Sequence, residues 1–381
     1  MSRCILSVLE SRSTYGYAKN VMAAINRVDG LDNQCLVTGM HLIAELGNSV
    51  DLIRSDGLPI AAEVPFAANG TGKSAWARAL GDGIAGFAEA LERLKPDIVV
   101  LYGDRIETFG VSIAASYMNV PTAHVQAGDK SGHIDDIARM AMAKLCHVHL
   151  ASCADSAERL RRLGEQEFRI FNVGAPQLDD IVNADFSAES IVLDAGVVDL
   201  KKQYILLVQH PLMIDSEQAG TEMQKTLNAC LKTGLPIIWI YPNSDKGSDD
   251  IVLVANHFRG CDIKIIRNTE RSNYLALLAN CSVLVGNSSS GILEAPSFKV
   301  PVVNIGDRQR GRPQASNITN AESDEEAIYK SICLALYDDA FRAACDLASN
   351  PYGDGRSGER IAKILSKIEL SRTLLDKQTI Y

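Results

Sequence analysis

Short apolar runs alternate with longer amphipathic stretches along this chain. Runs at residues 4–9, 33–38, 97–101, 121–125 and 148–152 read as strands buried on both faces. Between them, residues 15–25, 74–94, 106–117 and 134–145 carry apolar side chains at helical spacing. Residues 183–202 break the rhythm, which restarts with strand candidates at 204–209, 236–241, 262–266, 282–285 and 300–305. A last amphipathic stretch, 358–370, predicts one more helix. Strand–helix alternation of this kind predicts parallel sheets with helices on both faces. The fold class expected is α/β, with two Rossmann-like domains facing each other across a cleft and joined near residue 185. The first domain spans 1–185 and the second 186–357, while the terminal segment 358–381 can pack on the first.

Length and composition agree with this reading. At ~150 residues per domain, 381 residues make two domains or three. A hydrophobic share of 46% and a charged share of 22% exclude a disordered, collagenous or coiled-coil chain. The net charge of −9, with no long Lys/Arg run, argues against nucleic acid and membrane surfaces as partners. The first apolar run is far shorter than a spanning helix, so no leader or membrane segment is expected. Nine scattered cysteines, none in a C-x-x-C pair, point to a cytoplasmic protein with reduced thiols and no structural zinc.

In open α/β sheets ligands sit beyond the carboxyl ends of the strands, so chemistry is sought there. Gly103-Asp104-Arg105 follows one apolar run and opens a helix. Asp104 suits a plain N-cap, but a cap has no use for the adjacent Arg105. His124-Val125-Gln126-Ala127-Gly128-Asp129 crowds polar side chains at the next strand end. Asp135 and Asp136 come next, with Arg139 in the same helix. If both are buried, adjacent carboxylates repel, which favours a proton on one of them, as acid–base work requires; a solvated helix N-terminus, where aspartate is favourable anyway, is the plainer alternative.

In the second half, His210 stands at the mouth of a strand that Pro211 must end. Gly286-Asn287-Ser288-Ser289-Ser290-Gly291, followed by Glu294, links a strand to a helix. Its small residues and free N–H groups suit a phosphate or diphosphate, and Glu294 suits ribose hydroxyls. A serine-rich helix cap is the plainer alternative. Arg308, Arg310 and Arg312 follow the next strand, and of these Arg310 and Arg312 read as a solvated loop. Gly70-Thr71-Gly72-Lys73-Ser74 imitates a phosphate loop, but Ala67 stands where that motif needs glycine.

Together these runs resemble the hydrolysing UDP-N-acetylglucosamine 2-epimerase family. The likeness is carried by L-K-P-D-I-V-V-L-Y-G-D-R-I-E at 94–107, I-D-D-I-A-R at 134–139, A-K-L-C-H-V-H at 143–149 and F-N-V-G-A-P-Q-L-D at 171–179. Q-H-P at 209–211, G-N-S-S-S-G-I-L-E at 286–294 and P-V-V-N-I-G-D-R-Q at 301–309 complete it. The resemblance implies a glycosyltransferase-B-like fold and no metal or redox cofactor. It implies a nucleotide-sugar substrate and a homodimer or homotetramer. By position it makes Asp104 and Asp135 acid/base carboxylates, Arg105 a sugar-site arginine and His210 a histidine near the diphosphate. Arg12, Ser288, Ser289 and Arg308 then hold phosphates beside Gly286, and Glu294 the ribose.

Two departures stand out. The family's H-x-E-G-G-E becomes His124 to Asp129 here, with the amide Gln126 at the carboxylate position, and an amide exchanges no proton at neutral pH. Its R-H-A becomes Arg139-Met140-Ala141. Both changes point to an altered sugar or a reassigned base. The reaction expected is UDP-N-acetylglucosamine plus water to N-acetylmannosamine plus UDP, by elimination and then hydration. The same chemistry on a UDP- or GDP-linked diacetamido-trideoxyhexose is the near alternative. A glycosyltransferase of the same architecture, or a non-catalytic sugar-nucleotide binding protein, is the alternative of another class.

Overall fold

The apolar runs become the central strands of two parallel sheets in the computed structural model. It describes residues 2–380 apart from 44–48, 68–73, 131–134, 183, 212–215, 243–246, 259–260 and 268. The chain divides into two units, Met1–Val182 with Tyr352–Tyr381, and Asn183–Pro351. In the first unit lie β1 (Arg3–Leu9), β2 (Leu31–Thr38), β3 (Ile60–Val64), β4 (Ile98–Tyr102), β5 (Thr122–Val125), β6 (Val148–Ala151) and β7 (Ile170–Asn172). They pair in the order β3-β2-β1-β4-β5-β6-β7, all parallel.

The second unit starts with an antiparallel hairpin, β8 (Ser190–Leu193) and β9 (Gly196–Asp199), inside the stretch that broke the rhythm. Its sheet contains β10 (Ile205–Val208), β11 (Ile237–Ile240), β12 (Ile263–Ile266), β13 (Val283–Gly286), β14 (Val302–Ile305) and β15 (Ile318–Ala321). The order is β12-β11-β10-β13-β14-β15, again all parallel.

Each sheet is buried on both faces, which is why its central strands read as unbroken apolar runs. In β1, Ile5 and Leu9 enter one core while Leu6 and Val8 enter the opposite one. In β10, Ile205 and Leu207 face one core, and Leu206 and Val208 the other. The hydrophobic pattern did not announce β3, β7 and β15. These are edge strands, part-exposed and three to five residues long, with no continuous apolar run.

The end of the chain completes the first unit. Helix Ser357–Lys367 packs on helix Arg12–Asn26, and Ile361, Ala362 and Leu365 join the core that holds Ile5 and Leu9. The Asp179 carboxylate caps that helix, accepting from the backbone N–H of Ser357 at 2.9 Å and of Gly358 at 2.6 Å. A side chain at Gly358 would meet Ala24 Cβ and the Asn20 carbonyl, both at 3.2 Å, so glycine permits the helices to touch.

In both sheets the winding direction reverses once, between β1 and β4 and between β10 and β13. Neighbouring strands there send their connections to opposite faces, which leaves an opening at their carboxyl ends for a ligand.

Candidate active site

At the reversal point of the first unit, β1 runs out into Glu10, Ser11 and Arg12. Ser11 caps the helix Arg12–Asn26, accepting from the Thr14 N–H at 3.3 Å, and Arg12 is exposed at its first position. Glu10 is fully buried, and the hydroxyls of Thr14 and Ser11 donate to its Oε1. Burial pushes its carboxyl up to about 8, so Glu10 is largely uncharged at neutral pH.

Strand β4 ends at Gly103, whose φ of +69° turns the chain into Asp104 and Arg105. Asp104 is not a helix cap: Arg105 occupies that position and no side chain caps the helix Ile106–Tyr117. Instead Asp104 is paired with Arg139, which is buried in the helix Asp135–Leu145. Arg139 also donates to the Gln126 carbonyl at 2.7 Å. Gln126 holds a left-handed backbone at φ +63°, a conformation rare outside glycine that is stored where surrounding structure enforces it. Arg139 thus joins Asp104 to the Gln126 carbonyl and ties the ends of β4 and β5 together.

Around this pair the other groups are fixed. His124 is buried with Nε2 2.6 Å from the Gly103 carbonyl, and burial with the Arg139 charge pushes it down to about 3, so it stays neutral. Asp129 accepts from the hydroxyls of Ser152 and Ser156. Arg105 reaches the buried Glu107 at 3.4 Å. Gly39, at φ +57°, passes so close that a Cβ would lie 2.7 Å from Glu107 Oε1 and 2.9 Å from the Glu10 carbonyl. Asp135 begins its helix, but its side chain lies outside what is described, as do Gly70 to Lys73 of the phosphate-loop lookalike.

The second unit's reversal point is built differently. Gly286 has φ +134°, and a Cβ there would lie 2.1 Å from the Val208 carbonyl, so only glycine lets β13 close on the end of β10. Asn287 then grips His210 by the backbone, accepting from its N–H and donating to its carbonyl, both at 2.8 Å. The Asn287 carbonyl accepts from Arg308 at 3.1 Å and from Gln309 at 2.9 Å. One amide residue therefore joins the ends of β10, β13 and β14. Burial and the Arg308 charge push His210 down to about 3, so it offers a neutral ring rather than a cation.

Ser288 and Ser290 lie with hydroxyls 3.0 Å apart, and the Tyr274 hydroxyl meets Ser290. Ser289 stands before the short helix Ser290–Leu293 without capping it by its side chain. Glu294 is buried and paired with Arg271 at 2.7 Å. Arg310 is exposed and faces Asp307 at 3.6 Å.

The structure thus joins Asp104 with Gln126 in one unit, and His210, Gly286 and Arg308 in the other. Sequence reasoning named Arg139 beside Asp135, four residues before it on the same helix face, but assigned it no role. Glu10, Glu107 and Asn287 were missed, the last inside a run already singled out. Arg271 carried no signal of its own. Among the described residues no three His, Cys, Asp or Glu side chains are placed to hold a metal ion. No helix there is long and apolar enough to cross a membrane.

A family model described as UDP-N-acetylglucosamine 2-epimerase matches residues 23–366. The chain belongs to this family. A UDP-N,N'-diacetylbacillosamine 2-epimerase (hydrolyzing) of Legionella pneumophila is 36% identical over 382 residues, covering 100% of both chains. A GDP/UDP-N,N'-diacetylbacillosamine 2-epimerase (hydrolyzing) of Campylobacter jejuni is 31% identical over 328 residues, 84% of each. A crystal structure of UDP-GlcNAc 2-epimerase from Neisseria meningitidis bound to UDP-GlcNAc shares the fold, with a TM-score of 0.80 at 17% identity, over 96% of this chain and 100% of that one. The fold is the glycosyltransferase-B-like pair of α/β domains, and the protein is an enzyme of the hydrolysing 2-epimerase kind.

Proposed function

We propose that this enzyme takes a UDP-linked 2,4-diacetamido-2,4,6-trideoxyhexose and water to UDP and the free sugar inverted at carbon 2. The observation that carries this choice over UDP-N-acetylglucosamine is the 36% identity, along the whole chain, with a relative named for that substrate class. Gln126 and Met140, an amide and a thioether where the family carries a carboxylate and an imidazole, agree with a sugar that has fewer hydroxyls to recognise.

The chemistry divides between the units. In the first, Asp104 or Asp135 takes the proton from carbon 2. The C–H electron pair becomes the C1–C2 double bond, and the C1–O bond to the diphosphate breaks with its electrons leaving on oxygen. Water then adds at carbon 1 of the glycal, and a proton returns to the opposite face of carbon 2. Arg105, anchored by Glu107, orients the sugar. In the second unit Gly286, Ser288, Ser289 and Arg308 hold the departing diphosphate, joined by His210 as a neutral N–H donor. Fixed donors aimed at the leaving oxygen lower the barrier because they need no reorganisation as charge develops. The same reading takes the protein as a cytoplasmic homodimer or homotetramer.

Turnover of both nucleotide sugars in heavy water, with the released sugar identified by NMR, tests the proposal. The diacetamido substrate should have the higher kcat/KM, and the product should carry deuterium at carbon 2. A product without deuterium rules out elimination, and a higher kcat/KM for UDP-N-acetylglucosamine returns that sugar as the substrate.

A further inference from the structure

Helix Arg271–Asn280 carries Arg271 and Tyr274 three residues apart and so on one face. Both reach the segment that follows β13. Arg271 Nη2 donates to Glu294 Oε1 at 2.7 Å, and the Tyr274 hydroxyl meets Ser290, whose Oγ lies 3.0 Å from that of Ser288. Glu294 is 4% exposed, and a carboxylate so far from water needs a fixed counter-charge. Arg271 supplies it through one oxygen only; Oε2 makes no hydrogen bond among the described residues. A carboxylate clamped at one oxygen holds the other in a single orientation. That orientation is what a pair of vicinal hydroxyls needs in an acceptor.

We infer that Arg271 is a positioning residue for nucleotide recognition, locking Glu294 by Oε1 so that Oε2 accepts the ribose hydroxyls of a nucleoside diphosphate. The inference rests on the proposed reading of the second unit as the nucleotide-binding one. Its content is that Arg271 acts through Glu294 and only on the ribose.

The test is calorimetric titration of the full-length enzyme with UDP and with 2′,3′-dideoxy-UDP. In R271A, UDP binding should weaken about tenfold, since a hydrogen bond to a charged group loses its alignment. Dideoxy-UDP should bind the wild type and R271A equally. R271K, which keeps the charge, should recover part of the loss. In turnover the R271A defect should fall on KM more than on kcat. Equal weakening of both ligands, or UDP binding unchanged in R271A, overturns the inference and leaves the proposed function standing. Failure of the wild type to bind UDP at all overturns both.

Discussion

The two reversal points share one topology and differ in chemistry. In the first unit ionisable groups gather at the ends of β1, β4 and β5: Asp104 with the buried Arg139, the buried Glu107 with Arg105, and the buried, largely protonated Glu10. In the second, neutral groups make most of the links, with the Asn287 amide, the Gln309 amide and the hydroxyls of Ser288, Ser290 and Tyr274 beside the Arg308 guanidinium and the Glu294–Arg271 pair. On the proposed function, this difference matches the work assigned to each unit. Moving a proton on and off carbon needs titratable groups whose affinities are displaced by their surroundings. Holding a diphosphate needs donors that keep one geometry through the reaction, and neutral groups locked by hydrogen bonds do so at small desolvation cost.

The largest effect expected from breaking this contrast is on turnover. Removing a general acid–base group costs ~10²–10⁴ in rate. Asp104→Asn should lower kcat by that order, read as UDP release. Asp135→Asn measured beside it assigns the base, because the larger loss names it. Near-native turnover in both variants would end the division of labour between the units.

Next in size is the buried pair itself. Arg139→Met strands a carboxylate whose side chain is only 16% exposed and drops the bond to the Gln126 carbonyl. Breaking such a pair from one side costs about 3–5 kcal/mol. A calorimetric scan should show a matching fall in Tm together with loss of activity. A stable, inactive R139M would make Arg139 a matter of chemistry alone.

Glu10 sharpens the comparison through pH. Its folded pKa of about 8 lies above the ordinary carboxylate value. Between about 4.5 and 8 the folded state therefore keeps a proton that the unfolded chain has lost, and stability declines as pH rises through that window. Glu10→Gln, which still accepts from Thr14 and Ser11, should remove the decline. Its Tm advantage over wild type should open by at most about 4 °C per pH unit from pH 5 to 8 and level off above. Parallel Tm curves would mean that Glu10 ionises normally.

The smallest effect belongs to the neutral side. Asn287→Ala loses the two backbone bonds to His210, and stability should fall by about 1–3 kcal/mol. The kinetic defect should appear in KM, with the acid–base limbs of the pH–rate profile unmoved. A shifted limb would show that the second unit also handles protons.

Much of this was legible before any coordinates. The central strands announce themselves because a strand buried on both faces has no polar side to interrupt it, as the five buried residues of β4 illustrate. Asp104, His210 and the serine run were singled out because they follow those strands, and the structure places them at the strand ends. The edge strands escaped because a half-exposed strand of three or four residues has too few positions to show a period. The pairing of Arg139 escaped because its partner, Asp104, is 35 residues away.

The chain alone determined that there are two parallel α/β sheets, where their carboxyl ends fall and which polar residues crowd them, since all of this is written in local runs and spacings. Only the tertiary structure decided who pairs with whom. It paired Asp104 with Arg139, brought the Gln126 carbonyl to the same arginine, clamped Glu294 on Arg271 and closed the first unit with helix Ser357–Lys367. Those choices depend on burial, which sets the cost of leaving a charge or an amide unpaired. Burial is a property of the packed chain and of no residue by itself.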